Sequence, residues 1–281
     1  MSDVTDSGSG VDPHTPWEAL AEHRASVERV LVNRDPAEIK RLYIDLGELL
    51  SEAVGADIDQ VPLLSLPETI PVVGGLMREV EGRVLDAGCG PNPALSILLG
   101  RDPGRQLVAV DIGLGTVRLA RAVAARANVL VRAVVADVES LPFRDAVFAG
   151  IACDDTIEHL PHDRQGVHEL GRVLAPTGRA VIATPNRHSA EVLWRKGADL
   201  LRRQPKPASA YYAASSHLRE YTWASLERIV RPDLMVRRRS AVGWSGGWKR
   251  RLASRLTSTP PLRRFSRMVV VEVCHHRPRP E

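Results

Sequence analysis

The 281-residue sequence predicts an α/β fold: a doubly wound, mostly parallel seven-stranded sheet with an antiparallel last strand. Three observations predict it. Short apolar segments alternate with helix-like ones from Arg83 onward, a glycine-rich turn closes the first apolar segment, and an acidic residue marks the end of each of the first four. Parallel strands joined through helices take right-handed crossovers, which put helices on both faces of the sheet. At 44% hydrophobic the chain can bury one sizeable core with a small attached subdomain.

The polar stretch 1–15 is expected to be a disordered tail, 16–75 a helical cap with a linker, and 76–281 the main domain. In the cap, Trp17–Leu31 and Pro36–Val54 carry apolar residues at helical spacing, and Asp35-Pro36 suits an N-cap with proline in the first turn. Prolines and Gly74-Gly75 mark 57–75 as a linker leading to a short helix before Gly82. The expected strands are Arg83–Asp86, Gln106–Asp111, Val129–Ala136, Ala146–Cys153 and Gly178–Thr184. Between and after them, Pro93–Gly100, Leu114–Ala127, Arg164–Leu174 and Trp223–Val230 read as helices. Two further strands, Leu234–Trp244 and Arg267–His276, have only a basic insertion between them and no crossover helix, which makes the last one antiparallel.

Charge is divided unevenly. The whole chain carries a net charge of +4, yet residues 187–281 hold 21 basic and 7 acidic residues, and the remainder is net acidic. Such a split suits an anionic partner for the second part, or its packing against the first. Only four of the 38 basic residues are lysine, so arginine-favouring codon usage is the plainer explanation. Cys89, Cys153 and Cys274 are scattered and give neither a disulfide framework nor metal-ligand spacing. With no apolar run long enough to cross a membrane and no secretory pattern at the N-terminus, a cytoplasmic location is expected.

The chemistry gathers at the strand ends, where open parallel sheets bind ligands. Asp86-Ala87-Gly88-Cys89-Gly90-Pro91-Asn92-Pro93 is a tight turn in which Gly88 and Gly90 let backbone approach a ligand. A dinucleotide fold needs a third small residue where Pro93 stands, which argues against that class. Asp111, about 20 residues on, is placed to accept both hydroxyls of a ribose. Asp137 can reach an adenine amino group, and Asp154 follows the fourth strand. Each alone is as well explained as a helix N-cap; four on one rim point to a nucleoside-bearing ligand.

These stretches, VLDAGCGPN, VAVDIG, VVADVESLPF, DDTIEHL and ELGRVLAPTGRAVIATPN, resemble the class I S-adenosylmethionine-dependent methyltransferases, a Rossmann-like group. The resemblance is strongest to the methyltransferase-11, ubiquinone-biosynthesis-like branch and covers residues 83–186 well. It implies S-adenosylmethionine as cofactor, bound by the loop Asp86, Gly88, Cys89 and Gly90 with the two glycines flanking its methionine part, Asp111 on the ribose and Ile112 beside the adenine. It further implies Asp137 and Val138 on the adenine and Asp154 near the methionine end. Asn92 replaces the group's usual third glycine, and Ala149 its usual Asp in the fourth strand.

Methyl transfer to a hydroxyl benefits from a base, and His159, one turn into the expected helix after the fourth strand, is the first candidate. Orienting the loop is the alternative role for Glu158 and His159. Asp155-x-x-Glu158-His159 also resembles the arrangement that holds a divalent cation in the group's quinone O-methyltransferases. The segment 187–222 is the expected acceptor lid, with His188, Tyr212, His217, Arg219 and Tyr221 as substrate candidates. In the basic insertion 245–267, Trp248, Leu252 and Leu256 share a helical face, while Lys249, Arg250, Arg251 and Arg255 crowd the rest. That pattern suits an anionic membrane surface or a phosphorylated acceptor, or simply a solvated cover. The expected function is methylation, at oxygen in first preference, of a small or lipid-like acceptor. The alternatives are an RNA methyltransferase and a cofactor-binding partner protein without activity. Nucleic acid is less favoured because basic residues are not interleaved with aromatics.

Overall fold

The computed structural model describes residues 29–30, 33–55, 68–91, 93–190, 192–194, 217–243, 255, 259 and 262–276. The expected tail, most of Trp17–Leu31, and most of the lid and of the basic insertion lie outside these residues.

Helix α1 (Pro36–Gly55) starts as the sequence predicts, with Asp35 Oδ1 accepting the N–H groups of Ala37 at 2.8 Å and Glu38 at 3.0 Å. After α2 (Thr69–Leu76) the alternation begins: β1 (Gly82–Ala87), α3 (Ala94–Gly100), β2 (Arg105–Asp111), α4 (Leu114–Arg126) and β3 (Arg132–Val135). It continues through β4 (Phe148–Asp154), a short 3-10 helix Ile157–His159, α5 (Asp163–Val173), β5 (Leu174–Pro185) and α6 (Trp223–Val230). The chain then runs through β6 (Leu234–Val242), a second 3-10 helix Leu262–Phe265, and β7 (Met268–His275).

The seven strands form one sheet in the order β3-β2-β1-β4-β5-β7-β6, and β7 runs opposite to the other six. The two last strands are thus exchanged relative to chain order. Composition explains the exchange. Met268–Val273 are all buried, so β7 needs neighbours on both sides, whereas β6 carries exposed Arg237, Arg238 and Arg239 and suits an edge. Strand β3 is shorter than Val129–Ala136 because Leu130 is exposed and 129–131 do not pair. One apolar cluster on the first face joins the sheet to α2, α3 and α4; the second, on the opposite face, joins it to α5 and α6. Fully buried Leu85, Ile151, Ile182 and Val271 each contribute about 1.5–3 kcal/mol relative to exposure.

Helix α1 reaches this body through glycines. A Cβ on Gly115 of α4 would stand 2.4 Å from the carbonyl oxygen of Gly47, and one on Gly47 would stand 2.3 Å from Thr116 Oγ1. Backbone therefore lies against backbone, and the contact sets the height of α1 above the strand ends. Gly115→Ala is expected to push α1 away and cost about 1–3 kcal/mol. Thermal melting together with hydrogen exchange over 36–55 checks this; unchanged protection of α1 would refute it.

Candidate functional site

At the carboxyl ends of β1, β2, β3 and β4 lies a cavity of about 290 Å³. Strand order reverses between β1 and β4, so the chain leaves those two ends in opposite directions and opens a crevice there. The floor is the loop after β1. Gly88 and Cys89 both donate their N–H groups to Val110 O at 2.9 Å, which ties the loop to the end of β2. Gly90 sits at φ +61°, and a Cβ there would meet no protein atom within 4 Å. Packing therefore does not demand a glycine here; the left-handed backbone does.

Asp111 stitches two loops together, Oδ2 accepting from Gly90 N–H and Oδ1 from Gly113 N–H, each at 3.1 Å. Burial raises its carboxyl despite these bonds. Gly88, Gly90, Asp111, Ile112, Asp137 and Val138 all line the cavity, as the sequence predicts. Asp86, Cys89 and Asp154 are not among its lining residues. Asp86 is buried behind the loop, accepts from Ser96 Oγ at 2.5 Å, and is pushed by burial up to about 6. It anchors the start of α3. Cys89 is likewise buried, and burial raises its thiol well above the usual range.

Helix α1 forms the roof with Lys40, Tyr43, Leu46, Gly47 and Leu50, an i, i+3, i+6, i+7, i+10 stripe. The sequence reading missed these residues; that spacing was the available signal. Lys40 Nζ lies 2.6 Å from Asp137 Oδ2 and 2.7 Å from Glu139 Oε2. Burial alone would raise Glu139 and lower Lys40, but the ion pairs, with His162 N–H donating to Glu139, reverse both shifts.

Beyond β4, Asp154 Oδ2 accepts from Thr69 Oγ1 at 2.7 Å, and its buried Oδ1 has no partner among the described residues. Burial pushes its carboxyl up to about 7. Thr156 and Asp155 follow on the cavity wall, and Asp155 has φ +54°. His159 lies in the 3-10 helix, not in the α-helix expected there, and lines the cavity. Its Nδ1 is 2.9 Å from Tyr43 Oη, and burial holds that phenol above its ordinary range. Glu158 turns inward: it is fully buried, with Oε2 accepting from Thr184 Oγ1 at 2.9 Å and Oε1 4.0 Å from His217 Nε2. Burial raises Glu158 strongly and drives His217 down to about 4, so this histidine is neutral at pH 7. The group able to converge on a cation is thus Glu158, His159 and His217, whose candidate atoms lie within 4.8 Å of one another. Asp155 belongs to the wall and not to that group, because it precedes the helical turn that carries the other two.

The other acceptor candidates stand off the cavity. His188 is exposed and donates its backbone N–H to Asn186 Oδ1. Tyr221 is buried in the second core cluster and donates to Asp163 Oδ2 at 2.7 Å. Arg219 donates to the carbonyls of Leu160 and Pro161 and so braces the wall from behind. Tyr212 lies outside the described residues. Among the described residues no helix is long and apolar enough to cross a membrane.

Residues 85–182 match the family model described as a methyltransferase domain. A ubiquinone biosynthesis O-methyltransferase of Xanthomonas axonopodis pv. citri is 32% identical over 137 residues, covering 48% of this chain and 56% of that protein. The O-methyltransferase cnsE of Penicillium expansum is 30% identical over 163 residues, 53% of this chain and 58% of the relative. The chain thus spans little more than half the length of the curated relatives it matches. In fold it is similar to the magnesium protoporphyrin IX methyltransferase of Synechocystis, solved with bound SAH (TM-score 0.55, 16% identity, 74% of this chain and 83% of that one). Residues 85–182 are thus similar to a methyltransferase domain, and the chain shares the Rossmann-like fold of that solved structure.

The unpartnered Asp154 Oδ1 has a consequence for stability. Because the folded carboxyl titrates near 7 and the unfolded one near 4, the folded state holds the extra proton between those values, and stability falls as pH rises across them. Comparing wild type with Asp154→Asn by denaturant unfolding from pH 5 to 7 is expected to show wild type losing about 2 kcal/mol relative to the variant. Parallel curves would show that Asp154 titrates normally.

Proposed function

We propose that this chain, through its methyltransferase domain, moves the methyl group of S-adenosylmethionine to an oxygen of a small-molecule or lipid-like acceptor. The observation that carries the reading is the convergence on one cavity of Gly88, Gly90, Asp111, Asp137 and Val138 with the Tyr43–His159 pair. The cradle fits the cofactor. Open space beside Gly90 suits close approach of the methionine part, and Asp155, which lines the cavity next to the orphaned Oδ1 of Asp154, marks where its ammonium group would lie. Asp111, already fixed by two backbone donors, would take the ribose hydroxyls, and Asp137 with Val138 the adenine edge, beside Ile112.

The bound cofactor supplies an electrophilic methyl on sulfonium, so the chain's task is mainly to align, desolvate and accept a proton. Leu46, Leu50, Leu160 and Pro161 make the apolar wall that excludes water. His159 would take the acceptor's proton. That role requires the tautomer with hydrogen on Nδ1, donated to Tyr43 Oη, which puts the lone pair on Nε2. We assign His159 to proton removal, with Nδ1 held by Tyr43 and Nε2 left to accept the proton. His217 then stands behind His159, ring centroids 5.0 Å apart, as packing and not as an acceptor contact. The relatives named as O-methyltransferases support oxygen as the acceptor atom. The helical spacing of Trp248, Leu252 and Leu256 in the sequence, among basic residues, supports peripheral contact with an anionic membrane.

Labelled cofactor incubated with lipid, small-molecule and RNA fractions is expected to label an ether in one of the first two; label in RNA alone, or none, would overturn the reading. Asp111→Ala is expected to weaken S-adenosylhomocysteine binding by roughly tenfold or more, read by calorimetry. His159→Ala is expected to lower turnover by about 100-fold with cofactor affinity unchanged. Intact turnover in that variant would remove the base.

A further inference from the structure

A second cavity, of about 380 Å³, is lined by Arg231, Val236, Arg237, Arg238, Arg239 and Arg263 and shares no residue with the first. Its five arginines come from three elements: Arg231 follows α6, Arg237, Arg238 and Arg239 lie on β6, and Arg263 is in the 3-10 helix before β7. A β-bulge between Val236 and Arg238 breaks the alternation of β6, and all three consecutive arginines are exposed. Buried Glu227 fixes two of them. Its carboxylate accepts from Nε and Nη2 of Arg239 as a fork, and from Arg231 Nη2 at 2.8 Å. Such anchoring locks guanidinium planes the way outer partners lock ligand-binding groups. The only other carboxylate within salt-bridge reach among the described residues is Glu272, 4.0 Å from Arg237 and shared with Arg179. Arg238 and Arg263 have no acidic partner among the described residues. Positive charge is thus in excess within one concavity.

Protection of a sheet edge explains a bulge and one or two charges on β6. It does not explain why guanidinium groups from two other elements converge there, nor why a buried carboxylate is spent on orienting two of them. We propose that this cavity is a binding site for a compact multivalent phosphate group, a diphosphate in size and charge, gripped by the guanidinium forks. The inference depends neither on methyl transfer nor on residues 244–261.

Calorimetry on the full chain with inorganic pyrophosphate tests it. Pyrophosphate is expected to bind at least about tenfold more tightly than orthophosphate, and Arg238→Glu with Arg263→Glu to weaken it by about tenfold or more. S-adenosylhomocysteine binding stays unchanged in that double variant, which separates this site from the first. Glu227→Gln separates a built site from diffuse charge: loss of the fork weakens pyrophosphate, whereas simple removal of a negative charge would strengthen it. Arg239→Lys, which keeps the charge and loses the fork while leaving the Glu227 carboxylate in place, is expected to weaken it as well. Unchanged or tighter pyrophosphate binding in these variants overturns the proposal, as does binding no tighter than orthophosphate. Phosphatidylcholine vesicles doped with a long-chain prenyl diphosphate then identify the source: vesicle binding that pyrophosphate reverses marks a lipid headgroup, and pyrophosphate binding without vesicle binding marks a soluble diphosphate compound.

Discussion

Parallel pairing of β1 with both β2 and β4 is the constraint on which the rest of the molecule depends. It puts the ends of four strands on one rim, and the reversal of strand order beside β1 opens that rim into a crevice. Asp111 then converts a gap between loops into a shaped wall, because one carboxylate holds backbone N–H groups from both. Everything later in the chain adds to this frame. Strand β7 closes the buried side of the sheet, and β6 gives it a charged edge.

The rim carries an electrostatic cost that the core does not need. Asp86, Asp154 and Glu158 are buried carboxylates raised by desolvation, and only Asp86 has all its work in the fold, anchoring Ser96. Asp154 and Glu158 each keep one oxygen without a partner among the described residues. Stability would be better served by apolar residues there; both sit beside lining residues, Asp155 and His159, and not in the lining itself. Lys40 relieves part of the burden by bridging Asp137 and Glu139, and it does so from α1, an element outside the sheet.

The two cavities divide the molecule by charge. The first, under α1, is lined by Asp111, Asp137 and Asp155 with one lysine; the second, at β6, is lined by arginines. The imbalance between the two parts of the sequence is therefore not spread evenly over the surface. At the β6 edge, Glu227 orders two guanidinium groups where a purely solvating surface would leave them mobile.

The sequence by itself determined the strand–helix alternation, the direction of β7, and the presence of Gly88, Gly90, Asp111, Asp137 and Val138 on one rim. Those features follow from local periodicity and from the geometry of parallel sheets, which residue spacing encodes directly. Only the tertiary structure decided the side-chain directions and the long-range pairs. It turned Asp86 toward Ser96, Glu158 toward Thr184, and Arg219 and Tyr221 away from the cavity. It brought Tyr43 to His159 across 116 residues and Lys40 to Asp137 across 97. Such contacts depend on the height at which α1 crosses α4, set by Gly47 and Gly115. The spacing of Tyr43, Leu46, Gly47 and Leu50 marks one face of α1, but a fit between two backbones leaves no period that tells where that face lands.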